Sequence, residues 1–155
     1  MGSRLFREEL KQQLIKRILI SDKQGGPDMP QNKANEAVIE RLIACINDRR
    51  IEIMDDLFHD DAIMDWPQSG EKVVGADNRR GIYQSFPQLP TITPRRMVSD
   101  GDLVLAESSL DYGGPVAFKT VFIFGLKDGK IAKETAYWSE PFEAPAWRAQ
   151  WVEKS

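Results

Sequence analysis

The chain has one cysteine and one histidine, and that scarcity removes several chemistries at once. A single thiol, Cys45, makes no internal disulfide and no thiolate metal cluster, which favours a reducing, cytoplasmic setting. It sits in an apolar helical pattern and reads as a small buried hydrophobe rather than a nucleophile. Positive charge is not in excess either. The 21 Lys and Arg stand against 24 Asp and Glu, for a net charge of −3, so no basic field exists to hold nucleic acid. No apolar run is long enough to span a bilayer, and residues 4–20 are too interrupted by charge for a signal peptide. With no Gly-rich phosphate loop, metal-ligand cluster or internal repeat, no metal and no cofactor are expected.

What remains is ordinary globular material: 155 residues, 41% hydrophobic and 29% charged, enough for one domain with a real core. Residues 1–31 read as an amphipathic helical arm, with Leu10, Leu14, Ile15 and Ile18 at helical spacing, followed by a Gly/Pro-rich linker. The domain proper spans 32–142, and an aromatic tail occupies 143–155. Asn32 is a candidate helix N-cap. Val38, Ile39, Leu42, Ile43 and Ile46 form one helical stripe. Asn47-Asp48 break it, and Ile51, Met54, Leu57 and Phe58 form a second. A short strand, 62–66, ends at Pro67. Gly75 opens a third helix facing inward through Arg79, Ile82, Tyr83 and Phe86, closed by Pro87 and Pro90.

From there the period changes from 3.6 to 2. Strand-like runs at 91–99, 102–112, 115–125 and 130–138 are divided by Asp100-Gly101, Gly113-Gly114 and Asp128-Gly129, which are hairpin turn pairs. Three helices followed by an antiparallel meander predict an α+β fold.

The order of elements, LFHDDAIMDWP at 57–67 and above all AYWSE at 136–140, resembles the nuclear transport factor 2-like superfamily in its SnoaL-like and ketosteroid-isomerase-like branch. The resemblance covers about residues 33–142. It implies three helices packed on a curved, mostly antiparallel sheet around a conical apolar pocket, often in a homodimer. The isomerases use an Asp base with an oxyanion hole made by a Tyr and a protonated acid. The matching positions here are Trp66, Leu42 and Thr120, so the usual ketosteroid isomerization is not expected. A supporting tyrosine is kept as Tyr83. Asp65, one residue from the base position, points to the other face of its strand unless a bulge at Trp66-Pro67 rotates it inward.

If Thr120 faces the cavity, as the resemblance implies, turn geometry orients the rest. A three-residue loop at 127–129 pairs 120 with 136 and 122 with 134, and a two-residue Gly113-Gly114 turn pairs 107 with 120 and 109 with 118. That assigns Phe118, Phe122, Phe124, Glu134, Ala136, Trp138, Glu107, Ser109 and Asp111 to the pocket face. Glu134 and Glu107, roughly 10 Å apart at the usual strand spacing, become candidate proton-transfer groups, with Tyr83 as a hydrogen-bond donor. The competing account of Glu134 is a structural pair with Arg79. Leu42, Trp66, Phe118, Thr120, Phe122, Trp138 and Ser109 are the candidate ligand contacts. His59, beside Asp60-Asp61, reads as a surface group at a helix end.

The other face, with Val104, Ala106, Leu110, Tyr112, Val121, Ile123, Ile131 and Tyr137, is too apolar to stand bare and predicts a homodimer through the sheet. Three functions stay open. The first is a cofactor-free isomerase, cyclase or hydratase for an apolar ring-bearing compound. The second is a non-catalytic small-molecule binder, and the third a protein-association domain.

Overall fold

A computed structural model describes residues 30–154, so the expected N-terminal helix lies outside the described residues. Helix α1 (Pro30–Asn47) opens on proline, which suits a first turn because its missing N–H has no partner there anyway. It ends where Arg49 takes a left-handed φ of 60°. A 3-10 helix, η1 (Ile51–Leu57), follows, then strands β1 (Phe58–Trp66) and β2 (Glu71–Val74). Helix α2 spans Ala76–Ser85. Its cap, Gly75, sits at φ 82° and ψ 165°, a conformation that favours glycine. Strands β3 (Thr91–Asp100), β4 (Leu103–Asp111), β5 (Phe118–Lys127) and β6 (Lys130–Ser139) form the meander. A second 3-10 helix, η2 (Ala146–Trp151), lies in the tail.

The six strands form one sheet in the order β2-β1-β6-β5-β4-β3. All pairs are antiparallel except β1 with β6. The core lies between one sheet face and the helices. Ile39, Leu42, Ile43 and Ile46 of α1 pack there with Met54, Phe58, Val104, Ala106, Phe124 and Ile131. No helix among the described residues is long and apolar enough to cross a membrane.

Asn32 is not a cap. It stands inside α1, buried, and reaches the β3–β4 turn, where its Oδ1 accepts from the Gly101 N–H at 3.0 Å and its Nδ2 donates to the Ser99 carbonyl at 3.3 Å. Asn35 donates to the Gly101 carbonyl at 2.8 Å. At the other end of the helix Asn47 both accepts from the Ile92 N–H and donates to the Ile92 carbonyl, at 2.7 and 2.9 Å. Helix α1 therefore grips both ends of β3 through side-chain amides, buried at Asn32 and Asn35 and half-buried at Asn47, and these bonds satisfy backbone groups that α1 shields from water.

Two turns differ from expectation, with opposite consequences. The β5–β6 hairpin is a two-residue turn, Asp128 and Gly129 both at positive φ (51° and 74°), and a bulge then intervenes before Gly125↔Lys133. The register beyond it is Thr120↔Trp138, Phe122↔Ala136 and Phe124↔Glu134. This lies two residues from the expected pairing, so the shared face is preserved. The β4–β5 connection is a six-residue loop, 112–117, rather than a Gly113-Gly114 turn. Pro115 has no N–H for the ladder, and the Asp111 carboxylate accepts from the Gly113 N–H at 2.7 Å, turning the chain early. The register is Leu110↔Phe118, Ser108↔Thr120 and Glu107↔Val121. A one-residue offset reverses every side chain. Glu107, Ser109 and Asp111 therefore do not share the pocket face. Val104, Ala106, Leu110 and Tyr112 turn inward, as does Ile131, leaving Val121, Ile123 and Tyr137 of the expected outer set on the outside.

Candidate functional site

Between α1, α2 and the inner sheet face lies a cavity of about 170 Å³. Helix α1 contributes Leu42, Ile43 and Ile46, and α2 contributes Ile82 and Tyr83. The segment after α2 closes the rim with Phe86, Leu89 and Pro90. The sheet supplies Met64 and Trp66 from β1, Ile92 from β3, Leu110 from β4, Phe122 and Phe124 from β5, and Glu134, Ala136 and Trp138 from β6. Tyr112 lies just past β4. Trp66 and Trp138 meet edge to face with centroids 5.9 Å apart, and Phe122 stacks on Phe124 at 5.8 Å. Gln68 fixes this corner. Its amide donates to the Trp138 carbonyl at 2.6 Å and accepts from the Trp138 N–H at 2.7 Å.

Glu134 is the one carboxyl in this lining. It is 4% exposed, and its carboxyl has no hydrogen bond or ion pair to the described residues. Burial disfavours its charged form and lifts it from 4.5 to about 7, with the positive charge of Arg79 offsetting part of the rise. Burial also raises the Tyr83 hydroxyl, with the neighbouring Glu134 charge adding to the effect. At neutral pH, then, Tyr83 keeps its proton, and the rise to about 7 leaves Glu134 part protonated and part ionised.

Arg79 does not pair with Glu134. It is 1% exposed, and its guanidinium lies over the Phe58 ring, 4.4 Å from the centroid. Its Nη2 donates to Asp55 Oδ1 at 2.8 Å. Its Nε and Nη1 are buried without hydrogen-bond partners among the described residues. Asp55 in turn binds Arg80, which also binds Asp77. Burial raises the Asp55 carboxyl, but the hydrogen bonds from Arg79 and Arg80 outweigh it and hold it below its ordinary value.

The structure thus brings Glu134, Tyr83, Leu42, Trp66, Phe122 and Trp138 to one cavity. Glu107 is on the opposite face, 3.6 Å from Arg95 and 3.3 Å from Arg96. The proposed pair of acids on one face therefore reduces to a single acid. Ser109 follows Glu107 outward, paired with Lys119 in the ladder. Thr120 is on the inner face and buried, but packs between Ser108 and Trp138 without lining the cavity. Phe118 also stays off the lining, edge to face with Tyr112 at 5.3 Å. Asp65 faces outward, its carboxylate 3.8 Å from Lys133 Nζ. His59 is on β1, not at a helix end, with Nε2 2.6 Å from the Lys127 carbonyl oxygen. Cys45 is buried, and burial raises its thiol. No cluster of metal-ligating side chains occurs among the described residues.

Sequence reasoning missed Asp55 and the three clamping asparagines. The asparagines carried a signal. Positions 32, 35, 39, 42 and 46 fall on one helical stripe, so Asn32 and Asn35 stood among core residues, where an amide needs a partner. Asp55 carried a weaker one, being an acid next to Met54 on the η1 stripe.

The sequence profile of the SnoaL-like domain matches residues 39–134. Among solved structures, an NTF-2 like protein of unknown function from Burkholderia xenovorans is 33% identical over 81% of this chain and 98% of its own, with a TM-score of 0.71. A Kribbella flavida protein provisionally assigned as a ketosteroid isomerase has a TM-score of 0.73 at 24% identity, covering 79% of this chain and 90% of its own. An M. tuberculosis LEH-like epoxide hydrolase has a TM-score of 0.60 at 20% identity, over 71% of this chain and 86% of its own. At the two lower identities the likeness concerns the fold alone. No curated protein gives a significant match.

Proposed function

Because the chain belongs to the SnoaL-like domain family, we propose that its cone is a small-molecule site in which Glu134 transfers a proton on an apolar, ring-bearing ligand. The reaction class is a cofactor-independent isomerization, cyclization or hydration. The observation that carries this reading is the state of Glu134: buried, unpaired, in the cavity lining and poised near pH 7. A carboxyl there is present in both protonation states at neutral pH, the condition in which general acid–base catalysis is most effective. Glu134 takes a proton from an activated carbon or a bound water and returns it to the product. Tyr83, held protonated, donates a hydrogen bond to the oxygen on which charge develops. Trp66 and Trp138, packed edge to face on each other, form one wall against which the ring rests.

Cavity size limits the ligand. A void of about 150 Å³ holds a benzene ring, so this one encloses one ring, and a longer ligand extends past Phe86 and Leu89 to the mouth. The usual ketosteroid isomerase route is not the one we favour, because Leu42 and Trp66 replace its tyrosine and its aspartate base, and Thr120, in place of its acid, is not among the residues lining the cavity.

A second reading, a binder without turnover, is favoured by the single acid in an otherwise nearly apolar lining. Thermal-shift screening of monocyclic and bicyclic terpenoid, phenolic and polyketide-like compounds, followed by turnover assays on the hits, separates the two. Loss of turnover in Glu134→Gln with ligand affinity retained supports proton transfer. Turnover undiminished in that variant sinks it. Hits that bind both proteins equally and never react establish the binder. We further infer a homodimer associating through the outer sheet face, where Leu105, Val121, Ile123 and Tyr137 stand side by side. Sedimentation mass tests it, and a monomer at all concentrations excludes it.

A further inference from the structure

The tail after β6 carries the most exposed aromatic surface among the described residues. Phe142, Trp147 and Trp151 are 78, 74 and 71% exposed. From Ser139 to Lys154 only Arg148 is even half-buried. Pro141 and Pro145 prevent this segment from continuing the β6 ladder. Three large aromatics held in water cost free energy that a packed surface would recover.

A matching surface exists on the same chain. On the outer sheet face the ladder aligns Val98, Leu105 and Ile123 in one row and Arg96, Glu107, Val121 and Tyr137 in the next. Val98 and Tyr137 are about half exposed. Beside this apolar strip Arg95, Arg96 and Lys119 border a depression, with Glu107 as the one acid among its lining residues. The face thus has a positive margin, while residues 140–152 carry Glu140 and Glu143 against Arg148. Arm and face are complementary in both apolarity and charge, yet within one chain each leaves the other uncovered.

We propose that residues 140–152 form an arm that docks on the outer sheet face of a second copy of this chain, and that each copy covers the other in this way. The arrangement is isologous, so both arms and both faces are used and no docking surface is left to propagate. Its size is adequate. At roughly 150–250 Å² per aromatic side chain, each arm removes about 450 Å² from water. Two arms and the two faces they cover bring the total to about 1,800 Å², within the range of stable complexes. Glu140 and Glu143 meet Arg95 and Arg96, which fixes the direction in which the arm lies. The proposal rests on the homodimer inferred above and adds what holds it together.

The test uses the full chain in sedimentation equilibrium. Wild type is a dimer, and a Trp147→Ser, Trp151→Ser double variant weakens association by at least about 100-fold, as the loss of two central aromatic anchors should. Arg95→Glu with Arg96→Glu also weakens it, and adding Glu140→Arg with Glu143→Arg to that chain restores it. Fluorescence gives a second measurement in a Trp66→Phe, Trp138→Phe background: emission from Trp147 and Trp151 moves to shorter wavelength as concentration rises through the dimerization range. A dimer of unchanged strength in the arm variants overturns the arm while leaving the sheet-face dimer standing. A monomer throughout overturns both. Blue-shifted emission independent of concentration shows the arm folded on its own chain and also refutes the proposal.

Discussion

Removing the charge from Glu134 should stabilise the protein, and only above mildly acidic pH. The carboxyl is raised from 4.5 to about 7, so the folded state holds its proton more tightly than the unfolded chain does. Below about pH 4.5 both states are protonated and the group has no effect. Between 4.5 and 7 the unfolded chain ionises while the folded one resists, and stability falls with rising pH. Above 7 the loss is complete and constant. Two and a half units at 1.36 kcal/mol each come to about 3 kcal/mol. Glu134→Gln keeps the shape but has no charge to bury, so it escapes this loss. Thermal melts from pH 4.5 to 8 should start together and diverge. For a domain of this size the variant should melt roughly 6–12 °C higher at pH 8. Parallel curves, or a variant less stable at every pH, would refute the account of Glu134 as a buried, uncompensated acid. If the variant is both more stable and inactive, the carboxyl is kept at a cost to stability, as groups serving chemistry commonly are.

Arg79→Met should destabilise the fold by about 2 kcal/mol in urea titration, because it removes the charge-assisted hydrogen bond to Asp55, which keeps its pairing with Arg80. Arg79→Lys should recover little, lacking the planar group that lies on Phe58. Thr120→Val should leave stability within about 1 kcal/mol of wild type or raise it, since the Thr120 and Ser108 hydroxyls are both buried without hydrogen-bond partners. A loss beyond about 2 kcal/mol would mean that the hydroxyl is bonded after all. Asn47→Ala should cost about 2 kcal/mol and speed amide exchange at Ile92, whose backbone would lose both of its side-chain bonds; unchanged exchange would contradict the clamp.

The fold was largely legible in the sequence, because periodicity and turn pairs report burial directly. The apolar stripes at 38–46 and 51–57 and the change to period 2 after Pro90 correspond to α1, η1 and the meander, while Phe58, expected on the second stripe, opens β1 instead. Strand β2 was missed, since EKVV is short and only Val73 is buried. The site was legible in β6 but not in β4, for a reason of register. An offset of two residues across the β5–β6 hairpin leaves Glu134 and Trp138 facing inward, whereas an offset of one across 112–117 sends Glu107 outward and Tyr112 inward. Pro115 was the clue, since a proline opposite Tyr112 has no N–H to close the expected pair. Arg79 was identified as an inward group, but its partner could not be foreseen, because Asp55 and Arg79 meet only when η1 and α2 pack together.

Both margins of the sheet are poor templates for another strand. Strand β2 offers four residues. In β3, Pro94 cannot donate, the ladder is irregular between Pro94 and Arg96, and two adjacent arginines follow the proline. A chain built this way resists growing edge to edge into fibres. Among the described residues, neither edge of the sheet therefore invites main-chain pairing with a second copy.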